Sequence, residues 1–145
     1  MVRPRLGIDV AAPAALAWHE LVELDCWPHW GPSVRSARLD DGTGRLRAGA
    51  TGSVQTALGV RLPFRIDEWS GDAPHRSWSW RVAGVPATGH SVITTGPAQC
   101  RVEMSVPWWA PAYLVVVALA LRRIRRRAEA AAATRRRARA RWRSG

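Results

Sequence analysis

Apolar and polar residues alternate from Arg5 to Val10, with Leu6, Ile8 and Val10 on one side and Arg5, Gly7 and Asp9 on the other. A period of two is the signature of a half-buried strand. Ala11-Ala12-Pro13 then turns the chain, and Leu16, Ala17, Leu21 and Leu24 recur at helical spacing. Pro13 suits the first turn of that helix, where its missing N–H costs nothing. The stretch Asp25 to Pro32 combines two prolines and a glycine with Trp27 and Trp30. It predicts a packed loop anchored by the two indoles.

From Val34 the pattern changes to short alternating runs punctuated by Gly, Asp and Pro, at spacings that suit consecutive antiparallel hairpins. Six further strands are predicted, approximately Ser33 to Asp40, Ala48 to Leu58, Val60 to Trp69, Arg76 to Ala83, Ala87 to Thr94 and Gln99 to Val106. Alternation assigns Val54, Thr56, Leu58, Phe64, Ile66, Trp78, Trp80, Val82, His90, Val92, Cys100, Val102 and Met104 to one interior face. Arg65, Asp67, Arg81, Arg101 and Glu103 fall on the other. A sheet apolar on one side needs a cover, because apolar area left in water forfeits about 25 cal/mol per Å². The cover is a C-terminal helix after Pro111, whose Leu114, Val117, Ala118, Leu121 and Ile124 form a continuous apolar stripe. Val115, Val116 and Leu119 make its first turns apolar all round, so that side meets other elements, another subunit or a membrane.

Length and composition narrow the function. The 145 residues, 47% of them hydrophobic and nine of them Trp, describe one globular domain rather than a disordered chain. All 22 basic residues are Arg. The absence of Lys excludes lysine Schiff-base chemistry and the usual phosphate-loop motif. The net charge of +11 is confined to the end: residues 1–121 carry 11 Arg against 10 acids, whereas residues 122–145 carry 11 Arg against Glu129 alone. Residues 131–145 are expected to be an Arg-rich tail, a frayed helix or disordered, since like charges repel and cannot pack. A second role for residues 122–143 is contact with an anionic membrane surface or nucleic acid.

The two cysteines, Cys26 and Cys100, form no CxxC pair, which suits a reducing, cytoplasmic compartment. Asp9 and Pro13 interrupt the apolar N-terminal run and argue against a cleaved signal. Trp108 to Leu121 would span about 21 Å as a helix, short of a hydrocarbon core of about 30 Å, so peripheral membrane contact is the most this stretch predicts. His19, His29, His75 and His90 lack metal-ligand spacing, no GxSxG nucleophile motif occurs, and neither metal nor cofactor is expected.

The order of Ile8-Asp9-Val10-Ala11-Ala12-Pro13 with Trp18 behind it, Trp27-Pro28-His29-Trp30-Gly31-Pro32-Ser33-Val34, Arg47-Ala48-Gly49-Ala50-Thr51-Gly52, Trp78-Ser79-Trp80 and His90-Ser91-Val92 resembles the START-like, polyketide cyclase/dehydrase and lipid-transport (SRPBCC) superfamily. The likeness covers about residues 5–130. It implies an α+β helix-grip fold over a domain of residues 1–130. In that fold a seven-stranded curved antiparallel sheet wraps a long C-terminal helix, with two short helices between the first and second strands. The pattern of positions reaches seven strands, an early helical region and a terminal helix independently. The resemblance further implies an apolar cavity between sheet and helix that holds a hydrophobic molecule, lipid or polyketide-like.

Combined with the interior face, this makes Val54, Thr56, Phe64, Ile66, Trp78, Trp80, His90, Val92, Val102, Met104, Leu114, Val117 and Leu121 the expected ligand-binding residues. His90 is the titratable side chain that alternation turns inward. It reads first as a polar handle for a ligand oxygen, with general acid/base catalysis in a cyclase or dehydratase as the alternative. Glu68, in phase with Phe64 and Ile66, is the candidate catalytic partner. Trp78 and Trp80 read equally as a stacking wall or as core.

Overall fold

A computed structural model describes residues 3–145. Strand β1 (Arg5–Val10) leads into helix α1 (Ala14–Val22), a 3-10 turn (Leu24–Cys26) and the single-turn helix α2 (Trp27–Trp30). Strands β2 (Val34–Leu39), β3 (Thr51–Thr56), β4 (Arg61–Ser70), β5 (His75–Val82), β6 (Val85–Gly96) and β7 (Gln99–Ser105) follow. A second 3-10 turn (Pro111–Tyr113) opens into helix α3 (Leu114–Ser144). Each predicted strand is present, with ends displaced by three residues or fewer.

The strands form one antiparallel sheet in the order β1-β7-β6-β5-β4-β3-β2. Six strands meander, and β1 closes on the far edge of β7 in the register Arg5↔Ser105 to Val10↔Cys100. The outer face carries the expected charges, paired as Arg81 Nε to Asp67 at 2.8 Å and Arg101 to Asp9 at 3.1 Å. Irregular register at Val34/Ser36, Ile66/Glu68, Ser79/Arg81 and Thr94/Gly96 bends the sheet toward its apolar side. On that inner face Gly52 leaves room for the Phe64 ring, whose Cζ would lie 2.8 Å from any Cβ there.

Three local readings need correction. Leu58 does not join the interior face: β3 ends at Thr56, the hairpin turns through Gly59 at φ +88°, and Leu58 is 92% exposed at the tip. Glu68 does not share the phase of Phe64 and Ile66, because the bulge after Ile66 absorbs one residue and inverts the alternation. Trp69 turns inward instead, against Trp18 at 5.5 Å, and Glu68 is exposed. Asp25 to Pro32 is not a loop throughout. Pro28 occupies the first turn of α2, where no main-chain N–H is needed, and Trp27 and Trp30 are both buried.

Helix α3 covers the concave face together with α1 and α2, packing on β1, β7 and both early helices. Its buried stripe is Val117, Ala120, Leu121, Ile124, Ala128 and Ala132. Two polar ties fix it. Glu129 accepts a hydrogen bond from the Ala11 main chain at 2.8 Å. Arg127 donates to the buried Glu20 carboxylate of α1 through Nε and a terminal nitrogen. The helix continues to Ser144 through the segment where charge repulsion predicted fraying or disorder. Ala132 still packs on the core, and from Thr134 on, where every residue is exposed, the helix rests on Ala and Arg, both strong helix formers.

Candidate functional site

Between the sheet and α3 lies a cavity of about 440 Å³. Its floor comes from β3 to β7, one wall from α2 and the start of β2, and its roof from the 107–113 connection and the first turns of α3. Exposed lining residues mark where it opens: Ala57 and Leu58 on the β3–β4 hairpin and Trp109 opposite them. No carboxylate, arginine or thiol lines it among the described residues.

Aromatic rings set the shape of the inner end. Trp27, Trp78 and His90 form a parallel stack, with Trp27 to Trp78 at 5.6 Å and 12° and Trp78 to His90 at 3.9 Å and 24°. Trp80 meets the first two edge-on, at 5.4 and 5.8 Å. Such edge and stacked arrangements are the favourable ones for quadrupolar rings. Trp27 and Trp30 reach the site from α2 and are anchored from behind, their indole N–H groups donating to the carbonyls of Leu21 at 3.0 Å and Glu20 at 2.7 Å.

One polar relay crosses this apolar wall. Trp80 Nε1 donates to Thr88 Oγ1 at 3.0 Å, and the same oxygen lies 3.0 Å from His90 Nε2. With one lone pair of the hydroxyl taken by the indole, its own hydrogen is satisfied when it donates to His90 Nε2. That places the imidazole proton on Nδ1. Nδ1 has no side-chain partner, and neither does the buried Nε1 of Trp78. Burial pushes the His90 pKa down to about 3, against a main-chain hydrogen bond at Trp78 that raises it, so the ring is neutral at physiological pH. Two N–H groups, Trp78 Nε1 and His90 Nδ1, thus lie without a side-chain partner just inside the apolar wall, on residues that line the cavity. Leaving a buried donor unpaired costs about 1–3 kcal/mol, and an acceptor atom supplied from outside would recover it. At the rim, Ser33 Oγ and the Tyr113 hydroxyl lie 2.7 Å apart and tie β2 to the root of α3.

Of the residues expected from the sequence, Val54, Thr56, Trp78, Trp80, His90, Met104 and Val117 line the cavity. Phe64, Ile66, Val92, Val102, Leu114 and Leu121 do not. Phe64 is covered by Trp27 and Trp80, at 5.9 and 5.4 Å. Ile66, Val92, Val102 and Leu121 belong to the solid core, Val102 being flanked by Val92 and Ile8 on neighbouring strands. Leu114 packs on the core edge at the start of α3. Trp27, Trp30, Thr88, Trp109, Tyr113, Val116 and Ala120 also line the cavity, though the sequence did not single them out for it. Thr88 carried a usable signal, since it is two residues from His90 on the same strand and shares its face, and so did Ala120, three residues from Val117 on the helix stripe.

A family model described as polyketide cyclase/dehydrase and lipid transport matches residues 1–143. Among solved structures, the hypothetical protein jhp0584 from Helicobacter pylori is similar over 86% of each chain, with a TM-score of 0.69 at 10% identity. A protein from Thermobifida fusca covers 81% of this chain and 83% of its own, with a TM-score of 0.57 at 22% identity. The di-domain ARO/CYC BexL matches 89% of this chain over 47% of its own, with a TM-score of 0.63 at 16% identity. Identities this low carry the fold and nothing finer. No curated protein matches the chain.

Proposed function

We propose that this chain, which belongs to the polyketide cyclase/dehydrase and lipid transport family, binds one small, mainly apolar molecule, lipid or polyketide-like, with an oxygen directed at His90 and Trp78. The supporting observation is an apolar cavity of about 440 Å³ lined by Trp78 and His90, whose buried Nε1 and Nδ1 have no side-chain partner. Its volume falls within the roughly 300–1,000 Å³ of small-molecule sites. Affinity would come from burying the guest's apolar surface, and orientation from the two donors. A carbonyl, carboxyl or phenol oxygen is the matching group.

The experiment is a titration of intrinsic fluorescence with fatty acids and flat polycyclic aromatics, run on the wild type and on Ala120→Trp. Ala120 is a buried lining residue of α3, so a larger side chain there fills the space. Saturable quenching by at least one member, absent from a folded Ala120→Trp variant, is the expected result. No response from any member, or equal responses from both proteins, overturns the reading.

The ARO/CYC label of BexL raises a second reading, in which His90 serves as general acid/base of a cyclase or dehydratase. The geometry favours the donor role. An imidazole held at a pKa of about 3 supplies no acid at neutral pH, and its basic nitrogen already faces the Thr88 hydroxyl. His90→Gln, which can still donate a hydrogen bond, should keep much of the ligand affinity. Turnover of a polyketide substrate that is lost in this variant while binding persists would support the catalytic role instead.

A further inference from the structure

We propose that the cavity mouth and the outer face of α3 together form a docking surface for an anionic lipid bilayer. Apart from Trp142 at the far end of α3, the exposed large apolar side chains fall on segments that border the cavity. Leu58 and Val60 lie on the β3–β4 hairpin, Val85 opens β6, Trp108 and Trp109 precede α3, and Val115 and Leu119 lie on its first turns. Three of these four segments also contribute residues to the cavity lining, and Ala87, two residues beyond Val85, lines it from the fourth. Trp108 and Trp109 are 62% and 53% exposed, between Pro107 and Pro111. Exposed indoles on a proline-stiffened segment have the amphipathic character of side chains that settle at the headgroup level.

Charge identifies the partner. At 100° per residue, Val115, Leu119, Arg122 and Arg126 fall on one stripe of α3, on the side opposite Val117, Ala120, Leu121 and Ile124. The apolar rim therefore continues into a basic face along the same surface. Arg122, Arg125 and Arg126 form no ion pair among the described residues, and Glu129, the one acid on the helix, is used by the Ala11 main chain. No helix among the described residues is long and apolar enough to cross a membrane, so contact is at the surface. Duplex nucleic acid would engage the arginines but give Trp108, Val115 and Leu119 nothing to bury against. A second copy would oppose two strongly basic helices. A bilayer carrying anionic headgroups satisfies both halves of the patch. On the ligand-binding reading above, the cavity would then open onto the acyl region, so a guest could pass between bilayer and cavity without crossing water. The docking itself does not depend on that reading.

The test is flotation of the full chain with vesicles of phosphatidylcholine, with and without phosphatidylglycerol, at low and high salt. Binding to the phosphatidylglycerol vesicles alone, weakened by salt, is expected. Arg122→Gln with Arg126→Gln should lower the affinity about thirtyfold. Trp108→Ser with Leu119→Ser should lower it as well and reduce the quenching of tryptophan emission by brominated acyl chains. Equal recovery with both vesicle types, or none with either, overturns the proposal. So does tight binding to duplex DNA that the Trp108→Ser, Leu119→Ser protein retains in full, or self-association that accounts for the apolar patch without vesicles. Repeating the flotation with Ala120→Trp separates the two readings, because a filled cavity should still dock.

Discussion

The His90 imidazole lies flat against the Trp78 indole, ring centroids 3.9 Å apart, on residues directly paired across β5 and β6. The pairing fixes the histidine in the apolar wall, and Thr88 two residues earlier claims one ring nitrogen. Burial then keeps the ring neutral and turns what could have been a charge into a hydrogen-bond donor.

Acid should therefore weaken the fold in a defined window. With the folded pKa near 3 and the ordinary value near 6.5, the unfolded chain takes up a proton between those limits that the folded chain refuses. The stability contributed by the neutral ring is complete above about pH 6.5 and is lost as pH falls toward 3, by on the order of 5 kcal/mol at the limit. Urea unfolding between pH 7 and pH 4 should show the midpoint of the wild type falling more steeply than that of His90→Gln. Parallel curves would show that the ring is solvated in the folded protein.

Thr88→Val keeps the shape of the side chain but removes the oxygen shared by Trp80 Nε1 and His90 Nε2. Two buried polar atoms lose their partner at once, and a loss of about 2–3 kcal/mol is expected. Thr88→Ser should restore most of it. Chemical denaturation of the two variants side by side distinguishes the hydroxyl from mere packing.

The tie between α1 and α3 should behave as a buried carboxylate with one half-exposed partner. Glu20 keeps 6% of its side chain exposed and Arg127 38%. Arg127→Met strands the carboxylate and should cost about 2–3 kcal/mol, a value lowered for the solvent around the guanidinium. Glu20→Gln combined with Arg127→Met should recover a large part of the loss. A double-mutant cycle measures the coupling directly, and additive losses would show that the pair contributes nothing of its own.

The amino-acid pattern revealed the sheet because alternation reports which side a residue faces. It failed where spacing is broken by something local. The bulge after Ile66 exchanged Glu68 for Trp69, and the early end of β3 left Leu58 in solvent. The helical turn at Trp27–Trp30 was hidden behind Pro28, a residue that reads as a breaker unless it falls in a first turn. Alternation also cannot separate a residue that lines a void from one that fills the core. Phe64 and Trp80 face the same way, yet only Trp80 reaches the cavity, because Trp27 arrives from another element to cover Phe64. Facing is a local property of a strand, and depth depends on what the rest of the chain places above it.

The protein's nine tryptophans give nine indole N–H probes, and Trp78 Nε1 is buried without a partner. Proton–nitrogen correlation spectra of these groups, recorded while fatty acids or polycyclic aromatics are added, read the cavity from inside. A guest that delivers its oxygen there should move the Trp78 resonance downfield in a saturable manner while that of Trp142, 88% exposed at the end of α3, stays in place. A panel that leaves the Trp78 signal unmoved at saturating concentrations, or that shifts Trp142 equally, would contradict the account.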